Sequence, residues 1–155
     1  MSIDVGAKAP DFSLPNQDRE TVRLSEELNK GPVVLAFLPG AFSSVCTKEL
    51  CTFRENKLAS TSGRVFGIST DTFFTLKAWG DQQKLGFPLL SDYNKDAIQA
   101  YGVVNPDMIG LKNIAKRAVF VIDKAGVVRY SEVLEDARNE PDYTRLNEVL
   151  ATIGN

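Results

Sequence analysis

The run Val33-Val34-Leu35-Ala36-Phe37-Leu38 constrains the fold more than any other segment. It has the length of a strand and is apolar at every position, so neither face of it can meet water. Such a strand belongs inside a sheet that is covered on both sides. Gly31-Pro32 breaks the chain before it and Pro39-Gly40 ends it. Beyond the break, Ser43 or Ser44 caps a helix expected to run to about Ser60, with Val45, Leu50, Phe53 and Leu58 on its inner face.

The remaining elements fall into place around that strand. Arg64 to Ser69 reads as the next strand, and Thr72 to Leu85 as a helix capped by Asp71 or Thr72. Phe87 to Leu90 is a short strand, and Asp96 to Tyr101 a short helix ended by Gly102. Ala118 to Ile122 is a second buried strand. Asp123-Lys124-Ala125-Gly126 turns it into Val127 to Tyr130. Pro141 to Ile153 is a closing helix with proline in its first turn. Near the start, Ala9 to Pro15 is held extended by its prolines and forms an edge strand or a hairpin with Thr21 to Leu24. Alternation early and a hairpin late predict an α/β chain with a central mixed β-sheet flanked by helices and an N-terminal hairpin. A strand leading to a cysteine at a helix start, with a later hairpin and helix, is the plan of a thioredoxin-like fold.

The 155 residues fit a single domain, residues 1–155, with one core. A net charge of −2 argues against a nucleic-acid partner. No apolar run approaches the roughly 20 residues that cross a membrane, so no membrane partner is expected. Met1 to Pro10 has neither a basic stretch nor a hydrophobic region. A secretory signal is therefore not expected, and a cytoplasmic location follows by default.

The chain has two cysteines and no histidine. Serine–histidine and cysteine–histidine catalysis are thereby removed, as are most zinc and iron sites. Chemistry falls to Cys, Arg, Lys, Tyr, carboxylates or hydroxyls. Cys46 lies in the first turn of the predicted helix, where free backbone N–H groups and the helix dipole favour an anion. The thiolate is the nucleophilic form of cysteine. The competing reading is a buried structural cysteine. Ser43, three residues earlier, can donate a hydroxyl hydrogen to the sulfur or to a bound oxygen, or can cap the helix. Pro39 can shield the sulfur from water or simply end the strand. Cys51 is five residues after Cys46. On an ideal helix their Cα atoms are about 8.7 Å apart, beyond the roughly 7 Å limit for a disulfide. A bond between them requires the helix start to unwind. Otherwise Cys51 is a half-buried helix residue. Taken alone, Arg117 reads as a strand-edge surface charge and Glu49 as an acid favoured by the dipole of an early helical turn.

The segment P-G-A-F-S-S-V-C (residues 39–46) resembles the peroxiredoxin signature: a proline, three residues, Thr or Ser, two residues, then the peroxidatic cysteine. The opening G-A-K-A-P-D-F-S-L, the blocks F-P-L-L-S-D and A-Y-G-V, and the strand R-A-V-F-V-I-D-K-A-G-V-V-R-Y stand in the same order as in that family. The AhpE-like and bacterioferritin-comigratory-protein-like branches are the most similar. This resemblance implies a thioredoxin-fold enzyme that reduces hydrogen peroxide and organic hydroperoxides without metal, flavin or nucleotide. It implies Cys46 as the peroxidatic cysteine, Pro39 and Ser43 as the proline and hydroxyl of the signature, and Arg117 as the active-site arginine. Glu49 corresponds to a carboxylate that orients arginines, and Arg54 to an arginine of AhpE-like members. Cys51 corresponds to the resolving cysteine of the branch whose two cysteines lie five apart on one helix. AhpE-like members generally lack it, so the chain mixes features of two branches. Most members carry Thr where Ser43 stands here; the hydroxyl is kept and the methyl is lost.

The implied cycle is attack by Cys46, a sulfenic acid, an intramolecular disulfide with Cys51, and reduction by a thioredoxin-like or glutaredoxin-like protein. A homodimer or a monomer is implied, and the lack of a long C-terminal extension argues against a decameric ring. Two other classes compete: a thiol redox sensor that relays oxidation to a partner without turnover, and a dithiol–disulfide oxidoreductase, against which the five-residue spacing counts.

Overall fold

A computed structural model describes residues 2–55 and 64–153. Strands β1 (Ser13–Pro15) and β2 (Thr21–Arg23) form the expected N-terminal hairpin, with Leu14 opposite Val22. Helix α1 (Leu24–Leu28) follows directly and buries Leu24 and Leu28. Leu24 had read as the end of the hairpin strand, but here it opens the helix. Then come β3 (Val33–Phe37), α2 (Ser44–Glu55), β4 (Arg64–Ser69), α3 (Phe73–Gln83), β5 (Leu89–Ser91) and α4 (Asp96–Ala100). The expected end of α2 near Ser60 lies outside the described residues.

A second hairpin, β6 (Val104–Met108) and β7 (Leu111–Ala115), was not legible in the sequence. Pro106 and its polar neighbours argue against a strand, and the hairpin is mostly exposed rather than core. Its turn places Ile109 and Gly110 at φ 49° and 90°, the positive values that a tight two-residue hairpin turn requires. The chain ends with β8 (Arg117–Ile122), β9 (Val128–Leu134) and α5 (Tyr143–Ile153).

The main sheet has the order β5-β4-β3-β8-β9. The pairs β3–β4 and β4–β5 are parallel, and β3–β8 and β8–β9 are antiparallel. This is the mixed sheet expected, with β3 at its centre and buried along its whole length. Alternation sends Leu35, Phe37, Phe120 and Ile122 to one face, where α1 and α4 pack with Leu24, Leu28 and Ile98. Val34, Ala36, Val119 and Val121 point to the other face, against Leu50 and Phe53 of α2, Trp79 of α3 and Leu146 of α5. Each such large side chain contributes roughly 1.5–3 kcal/mol through burial. Gly67 in β4 lets α2 sit close: a Cβ there would stand 2.9 Å from Leu89 Cδ2 and 3.3 Å from Leu50 Cδ1. Among the described residues no helix is long and apolar enough to cross a membrane.

Candidate active site

Strand register assembles the site. Phe37, the last residue of β3, pairs with Ala118. Arg117, the residue before it, therefore stands at the end of β3 from which the chain turns toward α2. Arg117 is the first residue of β8 and pairs with Leu134. It is not the surface charge that its type suggests, since only 2% of it is exposed.

The loop from β3 to α2 is tied down at several points. The Ala41 N–H and the Ser69 hydroxyl both donate to Asp71 Oδ2, each at 2.7 Å. Asp71 therefore anchors the loop, and Thr72 caps α3 by accepting from the Thr75 N–H. The Ser43 hydroxyl donates to the Gly40 carbonyl at 2.9 Å. Ser43 opens α2 with its backbone instead, its carbonyl accepting from the Thr47 N–H at 3.0 Å. The Trp79 indole N–H donates to Thr47 Oγ1 at 3.1 Å, joining α3 to the first turn of α2.

Cys46 is the third residue of α2 and is fully buried. Arg117 Nη1 donates to its sulfur at 3.3 Å and to Glu49 Oε2 at 2.7 Å. Arg117 Nε donates to the Ala137 carbonyl at 3.1 Å, which fixes the guanidinium plane. Cys46 and Glu49 share a helix face because they are three residues apart. The structure thus brings Cys46, Glu49 and Arg117 into one buried cluster. Burial would lower the Arg117 pKa, but its contacts with Cys46 and Glu49 outweigh that and hold the pKa above the ordinary arginine value. Burial pushes the Glu49 carboxyl up to about 7; Arg117 opposes the rise, while Glu140 and Glu132 add to it. Glu49 Oε1 has no hydrogen-bond partner among the described residues.

A groove of about 760 Å³ opens in front of the cluster. Pro39, Ser43, Val45 and Arg117 line it on one side, with Met108 and Ile109 from the β6–β7 hairpin and the segment Asp136–Arg138 on the other. Those latter walls escaped the sequence reading. The one available signal was the Ile109-Gly110 turn, and it carries no chemistry by itself. Arg138 pairs with Asp136 at 2.8 Å at the rim.

Two sequence candidates stand apart from the cluster. The Cys51 thiol is half-buried and donates to Gln83 Oε1 at 3.7 Å. Both cysteines are free and lie within the same unbroken helix. Arg54 donates to the Gln83 carbonyl and pairs with Glu55 at 3.4 Å. No described contact links Arg54 to Cys46; it fastens α2 to the end of α3. Among the described residues, no group of three or more Cys, Asp or Glu side chains is arranged to hold a metal ion.

The sheet order and the cysteine at the start of a helix define a thioredoxin-like protein with thiol chemistry. Comparison with known proteins narrows this. Residues 5–131 match the AhpC/TSA family model. A chloroplastic 2-cysteine peroxiredoxin of Chattonella marina var. antiqua is 39% identical over 145 residues, covering 86% of this chain and 72% of that protein. Alkyl hydroperoxide reductase E of Mycobacterium tuberculosis is 36% identical over 135 residues, 84% of this chain and 86% of that protein. The crystal structure of peroxidoxin BcpB from Mycobacterium tuberculosis aligns at TM-score 0.83 and 33% identity, over 97% of this chain and 96% of that one. The chain belongs to the AhpC/TSA family. It is a thiol-dependent peroxidase of the peroxiredoxin class.

Proposed function

We propose that Cys46 attacks the peroxide as a thiolate and that Arg117 stabilises the charge that develops as the O–O bond lengthens. The carrying observation is the shared guanidinium nitrogen, 3.3 Å from the sulfur and braced by Glu49 and Ala137. A donor held by two other groups needs no reorganisation at the moment of reaction, and one such donor accounts for about 10²–10³ in rate. Arginine suits the position because it stays protonated and presents several donors in a fixed plane. Pro39 and Ser43 line the approach. The Ser43 hydroxyl, held by Gly40, presents its oxygen lone pairs to a reacting peroxide hydrogen. Glu49 orients the guanidinium.

The groove supports organic hydroperoxides as substrates beside hydrogen peroxide. A water-sized molecule occupies about 30 Å³ in the liquid, a small part of the roughly 760 Å³ available. Cys51 then resolves the sulfenic acid and a thioredoxin-like or glutaredoxin-like dithiol protein reduces the disulfide. Because both cysteines sit in α2 at a separation an ideal helix sets near 8.7 Å, about 2 Å too far to bond, each turnover unwinds the first turns of α2.

The test is peroxide consumption with a thioredoxin system, followed by mass spectrometry of the oxidised chain. Sustained turnover by the wild type and none by Cys46→Ser are expected, with a Cys46–Cys51 link in the oxidised wild type. One oxidation event without turnover would make the chain a redox relay, and activity that survives Cys46→Ser would overturn the assignment.

A further inference from the structure

Glu49 holds Arg117 in place, but its own charge has a separate physical consequence. The carboxyl is fully buried. One oxygen shares the Arg117 nitrogen that also faces Cys46, and the other has no donor among the described residues. If both acids were ionised, the cluster would hold two negative charges against one positive charge in a site closed to water. Like charges sharing a site cannot both ionise without large cost. An ionised carboxylate also wants donors on both oxygens, and leaving one bare costs more for a charged group than for a neutral one. Asp92, the other deeply buried carboxylate, shows the contrast: the Ala97 and Ile98 N–H groups satisfy its two oxygens.

Among the described residues, Arg117 is the one cation paired with Glu49. Glu132 of β9 and Glu140 before α5 add negative potential. Lys48 of α2 is engaged with Glu140 at 3.1 Å. The Tyr143 hydroxyl of α5 donates to Glu140 as well. Arg117 therefore compensates one anion, and two acids compete for it.

We propose that the Cys46–Arg117–Glu49 cluster carries one negative charge at a time, and that oxidation of Cys46 moves this charge from the sulfur to the Glu49 carboxylate. The inference rests on the reading of Cys46 as the attacking thiolate. In the reduced enzyme below about pH 7 the sulfur is the anion and Glu49 is a neutral acid. The thiolate attacks the terminal oxygen of the hydroperoxide, an S–O bond forms and the O–O bond breaks. Sulfur gives up two electrons and the peroxide takes them. Thiolate, hydroperoxide and Glu49 carboxylic acid become sulfenic acid, alcohol and Glu49 carboxylate, so the proton that completes the alcohol is balanced by the one that Glu49 releases. Net charge is −1 among these groups before and after. Arg117 keeps an anionic partner throughout, which holds it in place when the sulfur becomes neutral. Glu49 is thus a charge-balancing and positioning residue that acts through Arg117.

The experiment is an infrared difference spectrum of the full-length Cys51→Ser protein before and after one equivalent of hydrogen peroxide, with mass spectrometry in parallel. Cys51→Ser lets the sulfenic acid persist. The expected result is loss of one protonated-carboxyl stretch as one oxygen is added, with no such loss in Cys51→Ser/Glu49→Gln. Glu49→Asp in the same background keeps a carboxyl and should move the band, which covers the case in which the glutamine variant does not fold. Oxygen added at Cys46 with the carboxyl region unchanged would overturn the inference alone. No oxygen added at Cys46 would overturn the peroxidase assignment on which it stands.

Discussion

Glu49→Gln should flatten part of the pH dependence of stability. The Glu49 carboxyl has an ordinary pKa of 4.5 and is raised to about 7 in the folded protein by burial. Between these values the folded chain keeps a proton that the unfolded chain has released. Unfolding then releases a proton, so stability contributed by this group falls as pH rises from 4.5 to about 7 and is level above that. At about 1.4 kcal/mol for each pKa unit, the loss across the window is about 3 kcal/mol. Glutamine has the same shape, keeps an oxygen for Arg117 and has no proton to lose. Its stability relative to the wild type should therefore rise by about 3 kcal/mol between acid and mildly alkaline pH, whatever constant offset the substitution brings. Asp92, also raised by burial, is present in both proteins and cancels. Urea denaturation of the two proteins under reducing conditions, at several values from pH 4.5 to 8, measures the difference directly. A gap that stays constant with pH would show that Glu49 folds ionised and would refute the reasoning.

Other perturbations follow from the same geometry. Arg117→Lys keeps a charge but loses the fork that reaches Cys46, Glu49 and Ala137 together; the rate of Cys46 oxidation should drop by about 10²–10³ in stopped-flow measurements. Gly67→Ala forces a methyl within 2.9 Å of Leu89 Cδ2 and 3.3 Å of Leu50 Cδ1 and should cost about 1–3 kcal/mol by overpacking in a denaturation series. Trp79 is the only tryptophan and is bonded to Thr47 beside Cys46. Its emission should change on oxidation of the wild type, where α2 must unwind, and stay nearly constant in Cys51→Ser; equal changes in both would speak against unwinding. Thr47→Val leaves the Trp79 N–H buried without its acceptor and should destabilise by about 1–3 kcal/mol in the same denaturation assay.

The frame of the molecule was legible because it depends on local pattern. Val33 to Leu38 could only be an inner strand, Pro39-Gly40 had to end it, and a helix start had to carry Cys46. Arg117 and Glu49 were found through resemblance; their residue types alone suggested an exposed charge and a plain helix acid. The β6–β7 hairpin was missed because it is exposed, proline-containing and without an alternating apolar face.

The sequence by itself determined where a nucleophile would sit, since strand, break and helix start are written into neighbouring residues. Only the tertiary structure decided what surrounds it. The pairing of Phe37 with Ala118 carries Arg117 across 71 residues of chain to the sulfur, and the packing of α2 and α5 closes water out around Glu49. The electrostatics of the cluster arise from distance and burial. Neither quantity exists until the chain is folded, so the competition of two acids for one guanidinium could not be read from their order along it.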